Sequence, residues 1–132
     1  MDMKRILIVL TITLLFSACA TRANITEDMS PAELIQRGQE AMDRNRYNLA
    51  IRYYEALYDQ NRTNIDLIIT AEYSIGFIHY KQRKYDLARM ELNSVLAYYD
   101  SPDEELLPQH FKRLAQIVLE NLEEKASRRR SR

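Results

Sequence analysis

Among 132 residues there are one cysteine, two glycines, three prolines and two histidines, and each scarcity removes a class of function. With Cys19 as the sole thiol, no intrachain disulfide can form, even in an oxidising compartment. Two isolated glycines cannot make the glycine-rich loop that cradles phosphates. His79 and His110 lie 31 residues apart, with neither a neighbouring cysteine nor a spaced carboxylate pair, so no metal site is expected. An activated nucleophile is equally hard to assemble, and the chain is read as a non-enzyme without a cofactor. The 19 basic and 19 acidic side chains cancel, and no basic patch marks the body, which argues against nucleic acid. The run Ile6 to Phe16 is the apolar stretch of note, and it falls short of the ~18–20 residues that span a bilayer. No segment alternates as a strand does, so the fold class is all-α.

The two glycines carry the strongest positive signal. Gly38 and Gly76 are 38 residues apart, and each is followed nine positions later by a tyrosine, Tyr47 or Tyr85. Leu49 and Ala50 then match Leu87 and Ala88, so both halves read G-x8-Y-x-L-A. A repeat of this length makes the unit a helix, a tight turn and a second helix. Glycine inside a helix costs about 1 kcal/mol against alanine, so Gly38 and Gly76 are expected where the antiparallel partner helix crosses closely. Ala50 and Ala88 are the small residues expected opposite them, with Tyr47 and Tyr85 plugging the turns. These six residues pack and do no chemistry.

Ser30-Pro31-Ala32-Glu33 has the pattern of a capping box with proline in the first turn, which starts a first helix running to about Arg44. A second is expected from Tyr47 to about Gln60, a third from about Ile65 to Gln82, and a fourth from Tyr85 to about Tyr99. Asp100-Ser101-Pro102-Asp103 reads as a turn. Beyond it, Leu107, Phe111, Leu114, Val118 and Leu122 form one stripe of an amphipathic fifth helix. The chain therefore divides into a signal (1–18), a polar flexible tether (19–29), a repeat domain (30–127) and a basic tail (128–132). That tail holds Arg128, Arg129, Arg130 and Arg132 and is read as a solvated, disordered end or as a contact for anionic headgroups or an acidic partner.

The pattern resembles the tetratricopeptide repeat, a helix-turn-helix unit of about 34 residues that stacks on its neighbours. Leu34, Gly38, Tyr47, Ala50 and Tyr54 match it in a first repeat (31–64), and Gly76, Tyr85, Ala88 and Leu92 in a second (69–102). Four extra residues fall at the link 64–68, and Glu72 stands where the family has a large apolar residue. In such repeats the first helix of each pair lines a concave groove. Tyr73, Phe77 and Tyr80 would then present an aromatic face, and Ile35, Gln39 and Met42 a more adaptable one, to a bound peptide. The competing expectation is that these rings pack against the fifth helix as core.

Lys4 and Arg5 ahead of the apolar run, followed by Phe16-Ser17-Ala18-Cys19, resemble a bacterial lipoprotein signal. That resemblance implies cleavage before Cys19, lipid (palmitate) on that residue and, with Ala20 next, an outer-membrane location. The segment from Glu72 to Ala88 and that from Tyr47 to Leu57 are similar to repeats of BamD-like lipoproteins of the outer-membrane β-barrel assembly machinery. The resemblance implies a lipid-tethered, periplasm-facing scaffold whose partners are the barrel-assembly subunit and unfolded outer-membrane proteins. The alternative is an adaptor lipoprotein serving another envelope complex, such as a pilus, secretion or transport machine.

Overall fold

The computed structural model describes residues 25–131, which contain five α-helices, two single 3-10 turns and no strand. The signal segment and Cys19 lie outside the described residues. The helices are α1 (Pro31–Asp43), α2 (Tyr47–Gln60), α3 (Ile65–Lys81), α4 (Tyr85–Ala97) and α5 (Gln109–Arg130). The 3-10 turns Tyr98–Asp100 and Glu104–Leu106 connect α4 to α5. Among these residues no helix is long and apolar enough to cross a membrane.

Local chemistry accounts for most of the boundaries. Ser30 caps α1, its hydroxyl accepting the Glu33 amide hydrogen at 3.2 Å, with Pro31 in the first turn. Asn64 caps α3 by accepting the amides of Asp66 and Leu67, a cap hidden in a stretch that reads only as the end of the second helix. The four extra residues at the link do not form a linker. They lengthen α3 to 17 residues, against 13 for α1, which is about one additional turn.

Both hairpin turns share a feature no composition rule supplies. Among the described residues Asn45 and Arg83 are the two non-glycine residues with positive φ, at 56° and 63°, and they occupy equivalent places after α1 and α3. The amides that follow close both turns in the same way, Arg46 on the Ala41 carbonyl at 2.8 Å and Lys84 on the His79 carbonyl at 2.9 Å.

α1 packs on α2, α2 on α3, α3 on α4, and α5 lies against α4 and α3. The interior divides into two clusters that share α3. Leu34, Ala41, Ala50, Tyr53, Tyr54 and Leu57 of the first hairpin enclose Ala71 and Ile78 of α3. Ile69, Leu92, Val95, Tyr99, Ala115 and Val118 form the second. Fully buried Leu34, Leu57, Ile69, Ile78 and Leu92 each contribute roughly 1.5–3 kcal/mol. With neighbours on both sides, α3 is apolar around much of its circumference, as a central helix must be.

Three expectations need correction. The tether does not stay free to Met29, because Ile25 and Met29 pack on the first cluster and the Gln60 amide donates to the Thr26 carbonyl at 3.2 Å. The tail is not a disordered end, since α5 continues as helix through Arg130. In α5 the buried stripe includes Ala115 in place of Leu114, which is 40% exposed, and Leu107 lies before the helix begins.

Candidate functional site

The close crossings fall at the two glycines, but the residues facing them are not the expected alanines. A methyl group on Gly38 would stand 2.8 Å from the Tyr54 ring, and one on Gly76 would stand 3.2 Å from Leu92. Ala50 and Ala88 are fully buried one helical turn before those residues. Tyr47 sits half-buried at its turn, its hydroxyl donating to Asn45 Oδ1 at 2.8 Å. Tyr85, at the equivalent place, lies beneath cations instead, with Lys125 Nζ 5.4 Å and the Arg129 guanidinium 5.8 Å from its ring centre.

Tyr73, Phe77 and Tyr80 share one face of α3, with successive ring centres 6.1 Å apart. α5 touches the two ends of that face. The Tyr73 ring meets Phe111 at 5.1 Å, and the Lys125 ammonium donates to the Tyr80 hydroxyl at 2.9 Å while lying 4.5 Å from its ring centre. All three rings are half-buried and pack against the second cluster. Two of the three rings, Tyr73 and Tyr80, therefore touch α5, while all three keep some exposure. Burial raises the Tyr73 hydroxyl above its ordinary value, and the Tyr80 hydroxyl raises Lys125. On α1, Gln39 is exposed, while Ile35 and Met42 are half-buried along the first cluster.

A polar cluster on another face of α3 was not legible in the sequence. Glu72 and His79 stand seven residues apart, two turns along the helix. Burial raises the Glu72 carboxyl above its ordinary value, and one of its buried oxygens has no hydrogen-bond partner. The Tyr98 hydroxyl beside it is pushed up to about 12 by burial and by the Glu72 charge. His79 Nδ1 lies 2.6 Å from Glu91 Oε2, with 13% and 23% of the two side chains exposed. The spacing of Glu72 and His79 was the available clue. Glu91 and Tyr98 come from α4 and the turn after it, and only the folded hairpin brings them near. One histidine and one carboxylate do not make a metal site, and no group of three potential ligands occurs among the described residues.

Taken together, the described residues form an all-helical array in which each helical hairpin packs on the next element. Over 105 residues, 77% of this chain, it is 30% identical to an uncharacterised protein of Treponema pallidum (strain Nichols). The match spans 42% of that relative's length. No family model matches the chain, and no solved structure does.

Proposed function

We infer that this chain is a membrane-tethered protein-interaction scaffold of tetratricopeptide type, and that it serves as a component of the outer-membrane β-barrel assembly machinery. The observation that carries the reading is the matched pair of hairpins. Gly38 and Gly76, Tyr47 and Tyr85, and the left-handed Asn45 and Arg83 each recur at equivalent positions. Stacked helical hairpins offer extended surfaces for peptides and partner domains rather than an enclosed catalytic cleft. The lipoprotein-like segment ending at Cys19 supplies the membrane attachment, and its Ala20 favours the outer membrane.

Within this reading α5 caps the second hairpin, and the α1 side, with Ile35, Gln39 and Met42, receives the partner. Large apolar and adaptable polar groups there suit an extended segment of a client protein. No catalytic step is assigned.

Two measurements test the proposal. Metabolic labelling with palmitate should mark the wild-type chain and not Cys19→Ala, and equal labelling overturns the lipid anchor. Purification of the tagged chain from membranes in mild detergent, followed by mass spectrometry, should recover a β-barrel subunit with periplasmic repeat domains. Recovery of a different envelope complex moves the function to the adaptor alternative.

A further inference from the structure

The turn of the first hairpin carries an open polar cleft that the scaffold reading leaves unused. A hollow of about 640 Å³ is lined by Asn45, Arg46, Tyr47, Asn48, Arg52 and Gln82, so it lies where that turn meets the end of α3. A smaller hollow of about 190 Å³, bordered by Arg37, Arg44 and Tyr53, shares Arg46 and Leu49 with it. The two adjoin at those shared residues and make one elongated depression across the turn. Its volume falls in the range of ligand-binding clefts.

The groups that line it are mostly donors. The side-chain oxygens of Asn45 and Asn48 are already engaged, by the Tyr47 hydroxyl at 2.8 Å and by Gln82 Nε2 at 3.2 Å, and neither amide nitrogen donates to another described residue. Arg44, Arg46 and Arg52 are exposed and pair with no carboxylate among the described residues, whereas Arg37 meets Glu33 at 3.7 Å. Glu40 is the one acidic residue in the lining, and its Oε1 accepts from Gln36 Nε2 at 3.1 Å. Guanidinium groups take carboxylates with two parallel hydrogen bonds, so the unspent capacity here is for an anionic, acceptor-rich ligand.

The surroundings have the same sign. Lys81, Arg83 and Lys84 are exposed at the second turn, which Gln82 ties to the first, against Asp43 and an Asp86 that Arg89 meets at 3.3 Å. Glu33, Asp59, Asp66 and Asp100 lie at the opposite ends of the same helices. The balanced total charge hid this polarity, because the two turns come together only once the hairpins stack.

We propose that the cleft is a docking site for an extended acidic segment of a protein partner. Arg46, which lines both hollows, holds a carboxylate at the centre, and Arg52 and Arg44 hold those on either side. The amide nitrogens of Asn45 and Asn48 donate to backbone carbonyls of the segment, and half-buried Leu49 gives it an apolar floor. The elongated shape selects a polypeptide over a single headgroup, and the positive end steers it in from a distance. This surface is separate from that of Ile35, Gln39 and Met42, and it depends on neither the lipid anchor nor the assembly reading.

The test is fluorescence anisotropy of a labelled peptide of alternating Glu and Ala residues, titrated with the full chain in mild detergent over about 1 µM to 1 mM. Binding that weakens with added salt is expected, and a Gln-Ala peptide of the same length should bind roughly tenfold more weakly or worse. Arg46→Glu with Arg52→Glu should lower affinity by about tenfold or more. Arg113→Glu with Arg130→Glu changes the net charge equally at exposed positions outside the cleft, and should leave affinity within about twofold. Should the Arg46 change reduce helicity, Arg52→Glu alone carries the test with a loss of about threefold or more. Equal losses in the two double variants would reduce the effect to net charge and overturn the site. No binding in this range, or binding to phosphatidylglycerol nanodiscs without binding to the peptide, overturns the proposal.

Discussion

The two hairpins share a plan and fill it differently. In the first, Gly38 faces the broad ring of Tyr54, which is 2% exposed and held by its neighbours. In the second, Gly76 faces Leu92, with Glu91 Cβ at 3.3 Å, so the crossing is looser and its main contact is a branched aliphatic chain. The turns differ in the same spirit. Asn45 tolerates the left-handed conformation and is tied to Tyr47, whereas Arg83 adopts it without such a tie while Tyr85 is taken by Lys125 and Arg129. The same backbone solution therefore persists while the side chains that enforce it change, because the second hairpin must also hold α5.

Truncating the core should strike hardest at this comparison. Leu92→Ala is expected to cost about 2–5 kcal/mol in urea unfolding, as is Leu57→Ala. The Leu92 change also empties the space facing Gly76, so Gly76→Ala should become favourable in that background. Next in size is the pair of glycine substitutions. Gly38→Ala should destabilise by a net ~1–2 kcal/mol, overpacking against the Tyr54 ring outweighing the ~1 kcal/mol gain in helix propensity. For Gly76→Ala the two effects should nearly cancel. A double-mutant cycle sharpens the contrast, since Tyr54→Leu should remove most of the Gly38→Ala penalty, and an undiminished penalty would mean the ring is not its cause.

A smaller effect is expected at Glu72, where the second hairpin departs from the apolar pattern of the first. Glu72→Met should stabilise by about 1 kcal/mol at neutral pH by removing a carboxyl oxygen with no partner. The sign follows from the raised carboxyl. Its folded value lies above the ordinary 4.5, so the wild-type penalty is complete above the folded value and disappears below 4.5. Stability curves of wild type and variant should converge as pH falls through that window. Parallel curves would show that the carboxylate is well solvated. Smallest is Arg83→Asn, which should gain about 0.5 kcal/mol by giving the second turn the residue of the first. Asn45→Arg should lose at least as much, because the Tyr47 hydrogen bond goes with it.

Much of the helical layout was legible from a few residues. Ser30, Pro31 and the repeated Gly, Tyr and Ala positions placed α1 to α4 to within a residue or two, since caps, breakers and periodicity act over single turns. Leu114 shows where that approach fails. It shares the period of Phe111 and Val118, yet faces outward, because helical spacing leaves about one turn of ambiguity over which residue a neighbouring helix covers. The aromatic ladder failed differently. A groove and a helix–helix contact require the same apolar spacing, and Tyr73 and Tyr80 met α5 because that helix returned onto their face.

The sequence by itself determined the all-helical class, the two hairpins and their glycine crossings, all written in local propensity and in residues repeated at one offset. Tertiary structure alone decided that Tyr54 and Leu92 face those glycines and that Glu91 reaches His79. It also decided that the arginine-rich end is helix and that Leu114 and Ile117 stay uncovered. Those outcomes depend on which helix lies beside which, and side chains distant in sequence acquire shared surroundings only once the hairpins have packed.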